Sequence, residues 1–313
     1  MRPKQRGSRA NSTRNPRPRR RRRHDLTVDL GLVATAVIWG MNFPVVKAVL
    51  REMEPLAFNA LRFPCAAFAV WFLLKTQGRR LMPQRKDWWT VVALGMAGHV
   101  AFQVCFIFGL DLTLTGNAAI LLSTAPVWVL LISAGMGRER FNASILIGVL
   151  GTLAGMVVLV TGGGDDMGSV RTGDFLVLGA AVSWSVYTVF SRRMTKRRGV
   201  LEMTAWTLWA GLPFIMLMGI PDLLRTDWAA VSAGAWLGIV YAGVFAIAIA
   251  YLLWYRGVRV IGQSRTSVYQ NLVPVIALVT AWFWLEEMPT PQQLMGAGVI
   301  LGGVVVARSS LRR

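Results

Sequence analysis

The sequence predicts an all-α polytopic membrane protein with ten transmembrane helices arranged as two inverted five-helix repeats. Two observations support this fold class. Hydrophobic residues make up 54% of the 313 residues and charged residues only 16%, whereas soluble domains contain about 25% charged residues. The apolar residues form blocks of about 20, the length that a helix needs to cross about 30 Å of hydrocarbon. The second observation is that the latter half of the chain repeats the first half.

Ten apolar blocks follow one another along the chain, and the short linkers between them leave no room for a soluble domain. The single hydrophobic core of a large soluble protein would not divide into ten blocks of this length. We therefore predict membrane spans at residues 27–49, 55–75, 88–110, 116–136, 143–161, 173–191, 202–220, 234–255, 265–285 and 291–307.

The repeat appears as residues of the same kind at a nearly constant separation. A shift of 145 residues places Trp39 on Trp184 and Lys47 on Arg192. Because each half has an odd number of spans, the second half enters the membrane from the opposite side. Duplicated halves are typical of secondary transporters, in which the solute site lies between the halves near the bilayer midplane. A shift of 148 residues aligns Pro126 with Pro274, Glu139 with Glu287, Gly148 with Gly296, and Gly155 with Gly303.

These patterns divide the chain into five parts. Residues 1–25 are a basic cytoplasmic tail with almost no apolar surface to bury, and we expect the tail to be disordered. Residues 26–161 form the first repeat and residues 173–308 the second. Residues 162–172 are a glycine-rich outer linker, and residues 309–313 are a short cytoplasmic C-terminus.

The tail holds 11 of the 34 basic residues and, up to residue 23, no acidic residue. The simplest interpretation is that it anchors the topology. It can also contact anionic lipid headgroups, at about 1 kcal/mol per basic residue near the surface. Non-specific RNA binding is an alternative, and we expect no specific nucleic-acid partner.

Positive charge is distributed unevenly over the predicted loops. With the N-terminus in the cytoplasm, the cytoplasmic segments hold 29 Lys and Arg residues, and the outer loops hold only Arg51, Arg171 and Arg225. This asymmetry follows the positive-inside rule. We expect a multi-pass protein of the cytoplasmic membrane with both termini in the cytoplasm.

Two prolines in mid-span, Pro126 and Pro274, are related by the repeat. A proline removes a backbone donor and frees the carbonyl four residues earlier, here those of Leu122 and Gln270. In lipid, a freed carbonyl must find a partner or line a polar cavity. The pair is therefore predicted to form hinges at a central site; a static kink is the alternative.

Arg62 is the one charge well inside a predicted span. Intramembrane charge is costly, so its default interpretation is functional. Three roles stay open: pairing with an anionic group of the solute, snorkelling to the interface, or holding a neighbouring carbonyl. Lys47 lies nearer a span end, and snorkelling is favoured there.

His99 falls near the middle of the third span, and Gln103 lies one turn further on the same face. A midplane histidine can relay protons, although a structural hydrogen bond between helices is the commoner outcome. No span is predicted to carry a deep carboxylate, which favours a facilitator or exchanger over a carrier coupled through Asp or Glu.

Aromatic and polar side chains recur near the predicted midplanes. A pocket with aromatic walls and a few polar groups suits an amphipathic small molecule, although packing is the alternative for any single aromatic residue. The predicted solute-binding residues are Trp39, Asn42, Arg62, His99, Gln103, Trp184, Tyr187, Tyr269, Gln270 and Asn271.

The two cysteines, Cys65 and Cys105, have no metal-ligand spacing, and we expect neither a metal nor another cofactor. The motifs Gly151-xxx-Gly155 and Gly298-xxx-Gly302 let helices approach closely. We assign these motifs to packing within the bundle, and a homodimer through such a motif stays open.

Several motifs, taken in order, resemble the EamA-type branch of the drug/metabolite transporter superfamily over about residues 27–307. Each motif alone is weak, but their order and repetition are specific. They are Trp39-Gly40-Met41-Asn42-Phe43-Pro44 followed by Lys47; Pro55 and Leu61-Arg62-Phe63; Gly116-Asn117-Ala118-Ala119 through Pro126 to Glu139-Arg140; Pro274-Val275 to Leu285-Glu286-Glu287; and Gln293, Gly296 and Gly302-Gly303.

This resemblance implies ten helices in two inverted repeats and export of small metabolites, amino acids or drugs by alternating access. It implies no ATP-hydrolysing machinery. From the residues themselves we expect no enzyme, because the sequence lacks an evident catalytic set. Arg62, Pro126, Glu139, Pro274 and Glu287 match recurrent family positions.

The leading hypothesis is thus a secondary membrane transporter that exports a small organic solute. An integral membrane enzyme acting on lipid-type substrates is one alternative, but His24 and His99 are the only histidines, and the Asp165-Asp166 pair has no evident partner. A non-transporting membrane scaffold that acts through the basic tail is the other alternative.

Overall fold

The computed structural model describes residues 19–137, 143–161, 168–261 and 266–309, and this part of the chain is helical with no strand. Seven helical stretches are long and apolar enough to cross a membrane: Leu26–Val49, Pro55–Thr76, Arg85–Leu112, Thr115–Gly135, Thr172–Arg198, Val200–Arg225 and Ala233–Trp254. Three shorter apolar helices are Leu146–Leu159, Tyr269–Leu285 and Pro291–Val306. The protein is therefore an all-helical membrane protein, and the count of ten spans stays a prediction.

We number the helices in chain order. The first half contains α1 (Arg19–Val49), α2 (Pro55–Thr76), α3 (Trp88–Gly95), α4 (Phe102–Leu112), α5 (Thr115–Leu122), α6 (Ala125–Gly135) and α7 (Ala143–Thr161). The second half contains α8 (Gly168–Arg198), α9 (Val200–Arg225), α10 (Ala233–Val240), α11 (Ala250–Ile261), α12 (Leu272–Leu285) and α13 (Pro291–Ser309).

Three elements of the prediction lie outside the described residues: Glu139, the Asp165-Asp166 pair in the outer linker, and residues 1–18 of the tail. The backbone of α1 already begins at Arg19, so this helix extends into the predicted tail. Arginine has a high helix propensity, and adding residues to a formed helix is easier than starting one.

Helix ends follow local sequence signals. Pro55 occupies the first turn of α2, where its missing N–H leaves no hydrogen bond unmade. Thr290 and Gln293 form a reciprocal cap at the start of α13: the Thr290 N–H donates to Gln293 Oε1 at 2.8 Å, and the Gln293 N–H donates to Thr290 Oγ1 at 3.2 Å. This is the pairing that a Thr-x-x-Gln sequence predicts at a helix start.

Both predicted hinge prolines lie just after a break in a helix. Pro126 is in the first turn of α6, after the break that follows Leu122. Pro274 is in the first turn of α12, after the 3₁₀ segment Ser267–Asn271. At the first break, the hydroxyls of Ser123 and Thr124 donate to the carbonyls of Ile120 and Leu121 at 2.6 Å each. These bonds satisfy carbonyls near the break; hinge motion stays a prediction.

Two π-helical segments interrupt the third and eighth predicted spans. Met96–Ala101 joins α3 to α4, and Tyr241–Ile249 joins α10 to α11. Their first residues are separated by 145 positions, the shift found in the sequence. Such segments often occur at functional sites, and here the first of them contains His99.

The main helix contacts join the two halves. Helix α7 packs on α13, α2 on α9, α4 on α8, and α1 on both α11 and α12. Large apolar side chains such as Phe68, Leu237 and Phe283 remain exposed on the outside of the bundle. A membrane protein needs such a surface to contact lipid, and a soluble protein rarely tolerates it over a large area.

Glycines set the contact between α7 and α13. A Cβ atom at Gly155 would lie 2.8 Å from Ile300, and one at Gly303 would lie 2.5 Å from the hydroxyl of Thr152. The predicted packing role therefore fits Gly155. It is wrong for Gly298 and Gly302, because a Cβ at either position meets no described atom within 4 Å. Helical periodicity turns these two glycines away from the face that carries Gly303.

Candidate functional site

Arg62 lies on α2 with only 3% of its surface exposed. Its Nη2 donates to Gln103 Oε1 on α4 at 2.9 Å, and its guanidinium lies 5.2 Å and 5.4 Å from the ring centroids of Phe58 and Phe63. Its Nε has no hydrogen-bond partner among the described residues. Snorkelling is thus excluded for Arg62, and the side chain keeps an unused donor inside the bundle.

His99 and Tyr187 meet at Thr207. His99 Nε2 is 3.0 Å from Thr207 Oγ1, and the Tyr187 hydroxyl is 3.3 Å from the same atom. The Thr207 hydroxyl also lies 2.9 Å from the carbonyl of Met203 and donates to it. A hydroxyl has one proton and two lone pairs. The hydrogen bond between His99 and Thr207 joins the first π-helical segment to α9.

Thr207 was not predicted from the sequence. The available signal was the repeat, because the shift of 145 residues places Thr207 on Arg62. Both residues are buried, and both reach from an equivalent helix to the span that contains His99 and Gln103.

Aromatic rings extend this cluster along α8. The ring centroids of His99 and Tyr187 are 5.7 Å apart, those of Tyr187 and Trp184 are 5.3 Å apart, and those of Trp184 and Phe102 are 5.2 Å apart. We call Arg62, His99, Gln103, Trp184, Tyr187 and Thr207 the central cluster. Five of its six members are predicted site residues.

Trp39 belongs to a neighbouring aromatic group. Its ring lies 6.0 Å from Tyr251 and 5.4 Å from Trp254, centroid to centroid, and its Nε1 donates to the carbonyl of Ala246 at 2.9 Å. Asn42, one turn further along α1, has a buried Oδ1 without a described hydrogen-bond partner. Both residues thus present polar or aromatic groups inside the bundle.

Tyr269, Gln270 and Asn271 lie apart from this region, in the 3₁₀ segment before α12. The Tyr269 hydroxyl donates to Asp29 Oδ1 at 2.7 Å. Asp29 precedes Trp39 on α1 by ten residues, which is about 15 Å along a helix. The structure therefore does not bring Tyr269 together with the central cluster, and solute binding by these three residues stays a prediction.

Lys47 does not snorkel as predicted. Its Nζ donates to the backbone carbonyls of Leu110, Asp111 and Thr113, at 2.8, 2.5 and 2.9 Å. These carbonyls are at the C-terminal end of α4, where helix carbonyls lack intrahelical partners and the helix dipole favours a cation. The ammonium group is therefore used as a helix cap.

Asp174 is a buried carboxylate at the beginning of a predicted span, with only 1% of its surface exposed. Its Oδ1 accepts from the Thr113 hydroxyl at 2.5 Å, and both its oxygens lie 3.4 Å from Asn117 Nδ2. The sequence placed Asp174 at the start of a span, but α8 begins at Gly168 and carries it inside. Close backbone contact at Gly173, whose Cβ would lie 2.7 Å from the Thr113 nitrogen, positions it.

Three further hydrogen bonds join this region to the second half. Gln293 Nε2 donates to Asn117 Oδ1 at 2.9 Å. The carboxylate of Glu287 accepts from the backbone N–H of Thr115 at 2.7 Å and from its hydroxyl at 2.9 Å. Glu287 thus caps the N-terminus of α5, where a negative charge is favourable.

A sequence model of the EamA-like transporter family matches residues 26–161 and again residues 171–309. The chain belongs to the EamA-like transporter family. The resemblance noted in the sequence is therefore confirmed. The family and the relatives below are transporters by name, and none is named as an enzyme.

Similar proteins extend over most of this EamA-family chain. "Uncharacterized transporter YdfC" of Bacillus subtilis is 30% identical over 85% of this chain and 86% of its own length. The "Probable terminal-alkyne amino-acid exporter" of Streptantibioticus cattleyicolor is 28% identical over 88% of this chain and 91% of its own. The "Probable amino-acid metabolite efflux pump" of Salmonella typhimurium is 27% identical over 86% and 91%.

A solved structure entitled "Crystal structure of protein" has the same fold, with a TM-score of 0.65. It covers 92% of this chain and 98% of its own, at 22% sequence identity. The fold and the family together identify a multi-pass membrane transporter.

Proposed function

We propose that this EamA-family protein is a secondary carrier that exports small organic solutes, amino acids among them, by alternating access. The observation that carries the proposal is the buried guanidinium of Arg62. It is buried inside the bundle, two aromatic rings lie beside it, and its Nε is without a described partner. A solute carboxylate is the group best suited to an unpaired guanidinium donor.

The rest of the site fits an amphipathic solute. The rings of Trp39, Trp184 and Tyr187 offer apolar surface, and Asn42 and His99 offer polar atoms for a second group on the solute. Mostly apolar walls with a few polar groups are typical of small-molecule sites. The names of two relatives, an amino-acid exporter and an amino-acid metabolite efflux pump, favour the same class of solute.

The proposed architecture has ten spans in two inverted repeats, with both termini in the cytoplasm. The family model matches twice, and the π-helical segments and several cross-half contacts recur at the repeat spacing, all of which favour two equivalent halves. The charge asymmetry of the loops favours the stated orientation. We further propose that the basic tail touches anionic lipid headgroups and that any homodimer uses the open face at Gly298 and Gly302.

Flux measurements test the proposed function. The purified chain in liposomes is expected to accelerate the movement of at least one amino acid or amphipathic metabolite. Arg62→Ala should abolish transport of carboxylate solutes, and Trp39→Ala should slow it. Arg225→Ala, which removes an exposed arginine at the end of α9, is the matched control and should leave flux unchanged. Full flux of every transported solute in both site variants would contradict the site.

Deleting residues 2–23 separates a carrier from a scaffold that acts through the tail. The flux into liposomes should persist in the shortened chain, because none of the residues assigned to the site lies in the tail. Loss of flux, with the shortened chain still folded in the bilayer, would favour the scaffold.

A further inference from the structure

A second polar network closes one end of the bundle, away from the central cluster. We call it the outer network, because the charge distribution places this end outside the cell. It joins the ends or beginnings of several helices from both halves. Its members are Lys47, Thr113, Thr115, Asn117, Asp174, Glu287 and Gln293.

Three links in this network each connect the first half to the second. Thr113 and Asn117 bind Asp174 on α8, Asn117 also binds Gln293 on α13, and Thr115 binds Glu287 just after α12. Lys47 donates to the carbonyls of Leu110, Asp111 and Thr113 and so fixes the end of α4 beside these contacts between the halves.

All of the linked side chains except Glu287, which is half-buried, are shielded from water. Thr113, Thr115, Asn117 and Asp174 are each buried, with no more than 3% of the surface exposed. In each of the three links a polar group of one half is satisfied by a polar group of the other. Hydrogen bonds between protein groups exchange for bonds to water at a small net free energy. Hydrogen-bonded contacts of this kind can close the end of the bundle, and the two halves can still separate there when water enters.

The opposite end has links of its own between the two halves. The shift of 145 residues places Asp174 on Asp29. Asp29 also joins the two halves, because it accepts from Tyr269 just before α12. Both partners of this bond are only half-buried.

The cytoplasmic end is also linked by the ion pair between Arg198 and Asp87 at 3.1 Å. A further link there is the bond from the Arg80 N–H to Glu202 Oε1 at 3.3 Å. Both ends of the bundle are therefore joined across the halves in this structure.

We propose that the outer network is the gate that closes the outer end of the solute pathway, and that the Asp29–Tyr269 bond is one of the links that close the cytoplasmic end. The structure then represents the state that is closed to the outside. This inference rests on the proposed transport function, and it assigns roles to Asp174, Thr113 and Tyr269 that solute binding does not require.

Thiol accessibility tests the gate without any solute. The reporter is Ala119→Cys, a buried position on α5 beyond the network, in a full-length chain in which Cys65 and Cys105 are replaced by serine. A membrane-impermeant maleimide is added outside intact cells. Asp174→Ala should raise the labelling rate about tenfold, the effect of losing about 1.4 kcal/mol of closing free energy. Thr113→Val removes a single hydroxyl and should act in the same direction.

Two matched variants test whether the change in labelling rate is specific to the outer network. Glu52 accepts from the Ser232 backbone and hydroxyl at the same end of the bundle, at 2.8 and 2.9 Å, without touching the network. This contact also crosses between the halves, but it is exposed to solvent, so water replaces the lost bonds and Glu52→Ala should leave labelling unchanged. Tyr269→Phe weakens the opposite end and should slow labelling from outside.

Unchanged labelling in Thr113→Val would overturn the gate. If Asp174→Ala does not reach the membrane, Thr113→Val is the variant that tests the proposal. An equal rise in Glu52→Ala would also overturn it, because the effect would then be a general loosening. Faster labelling in a chain that moves no solute in liposomes would retain the gate and reject the exporter, so the two proposals fail separately.

Discussion

Replacing Gln103 by leucine should destabilise the protein, because the charged side chain of Arg62 loses its hydrogen-bond acceptor. The Gln103 side chain accepts the bond from Arg62 Nη2 at 2.9 Å, and leucine has a similar size but no acceptor. A hydrogen bond to a charged group contributes about 1.5–3 kcal/mol. Breaking a buried charged pair on one side costs up to about 3–5 kcal/mol, because the remaining charge is uncompensated.

The double variant Gln103→Leu, Arg62→Leu gives the decisive comparison. It removes both the charge and its acceptor, and replacing both partners by apolar side chains is often nearly neutral. The double variant should therefore be more stable than Gln103→Leu alone. A simple sum of the two single effects would make it less stable.

Thermal unfolding in detergent, followed by tryptophan fluorescence, measures the relative stabilities of the single and double variants. A change of 1 kcal/mol shifts the melting temperature by about 2–4 °C in chains of 150–250 residues, so Gln103→Leu should melt several degrees lower than the unmodified chain. If the double variant melts below Gln103→Leu, the bond between Arg62 and Gln103 is not the interaction that balances the charge.

The remaining predictions concern packing and one buried hydroxyl. Gly303→Ala should lower the melting temperature, because its Cβ would lie 2.5 Å from Thr152 and overpacking costs about 1–3 kcal/mol. The adjacent Gly302→Ala, which meets open space, should be neutral or stabilising; equal losses in both would contradict the packing argument. Thr207→Val should cost about 1–3 kcal/mol by leaving His99 Nε2 without its partner. Thr207→Ser should retain most of the stability, and equal melting temperatures for the valine and serine variants would contradict this role.

Features with a strong local cause were predicted from the sequence. The apolar blocks predicted the helices, because every backbone polar group in lipid must be satisfied within a helix. The position of Pro126 predicted a break in its span, because proline removes a helix hydrogen bond. Burial of Arg62 with a polar partner was among the predicted alternatives, since charge inside a span needs compensation.

Features that depend on how helices meet were not predicted. Nothing in the sequence singles out Asp174, which is buried by the close approach of Gly173 to α4. Thr207 has no unusual local sequence and becomes important only through His99, which is 108 residues away. Lys47 was predicted to reach water, but the end of α4 provides three carbonyls within reach.

The π-helical segment Met96–Ala101 fixes the direction in which each end of its span faces. A π-helical turn contains about one residue more than an α-helical turn, and one residue corresponds to about 100° of rotation. Gly95, before the segment, lies against the Thr207 carbonyl of α9, and Gly109, after it, lies against Val177 of α8. Deleting one residue here would turn Gly109 away from α8 while leaving Gly95 in place. One additional residue in the helix thus allows the same span to pack against α9 before the π-helical segment and against α8 after it.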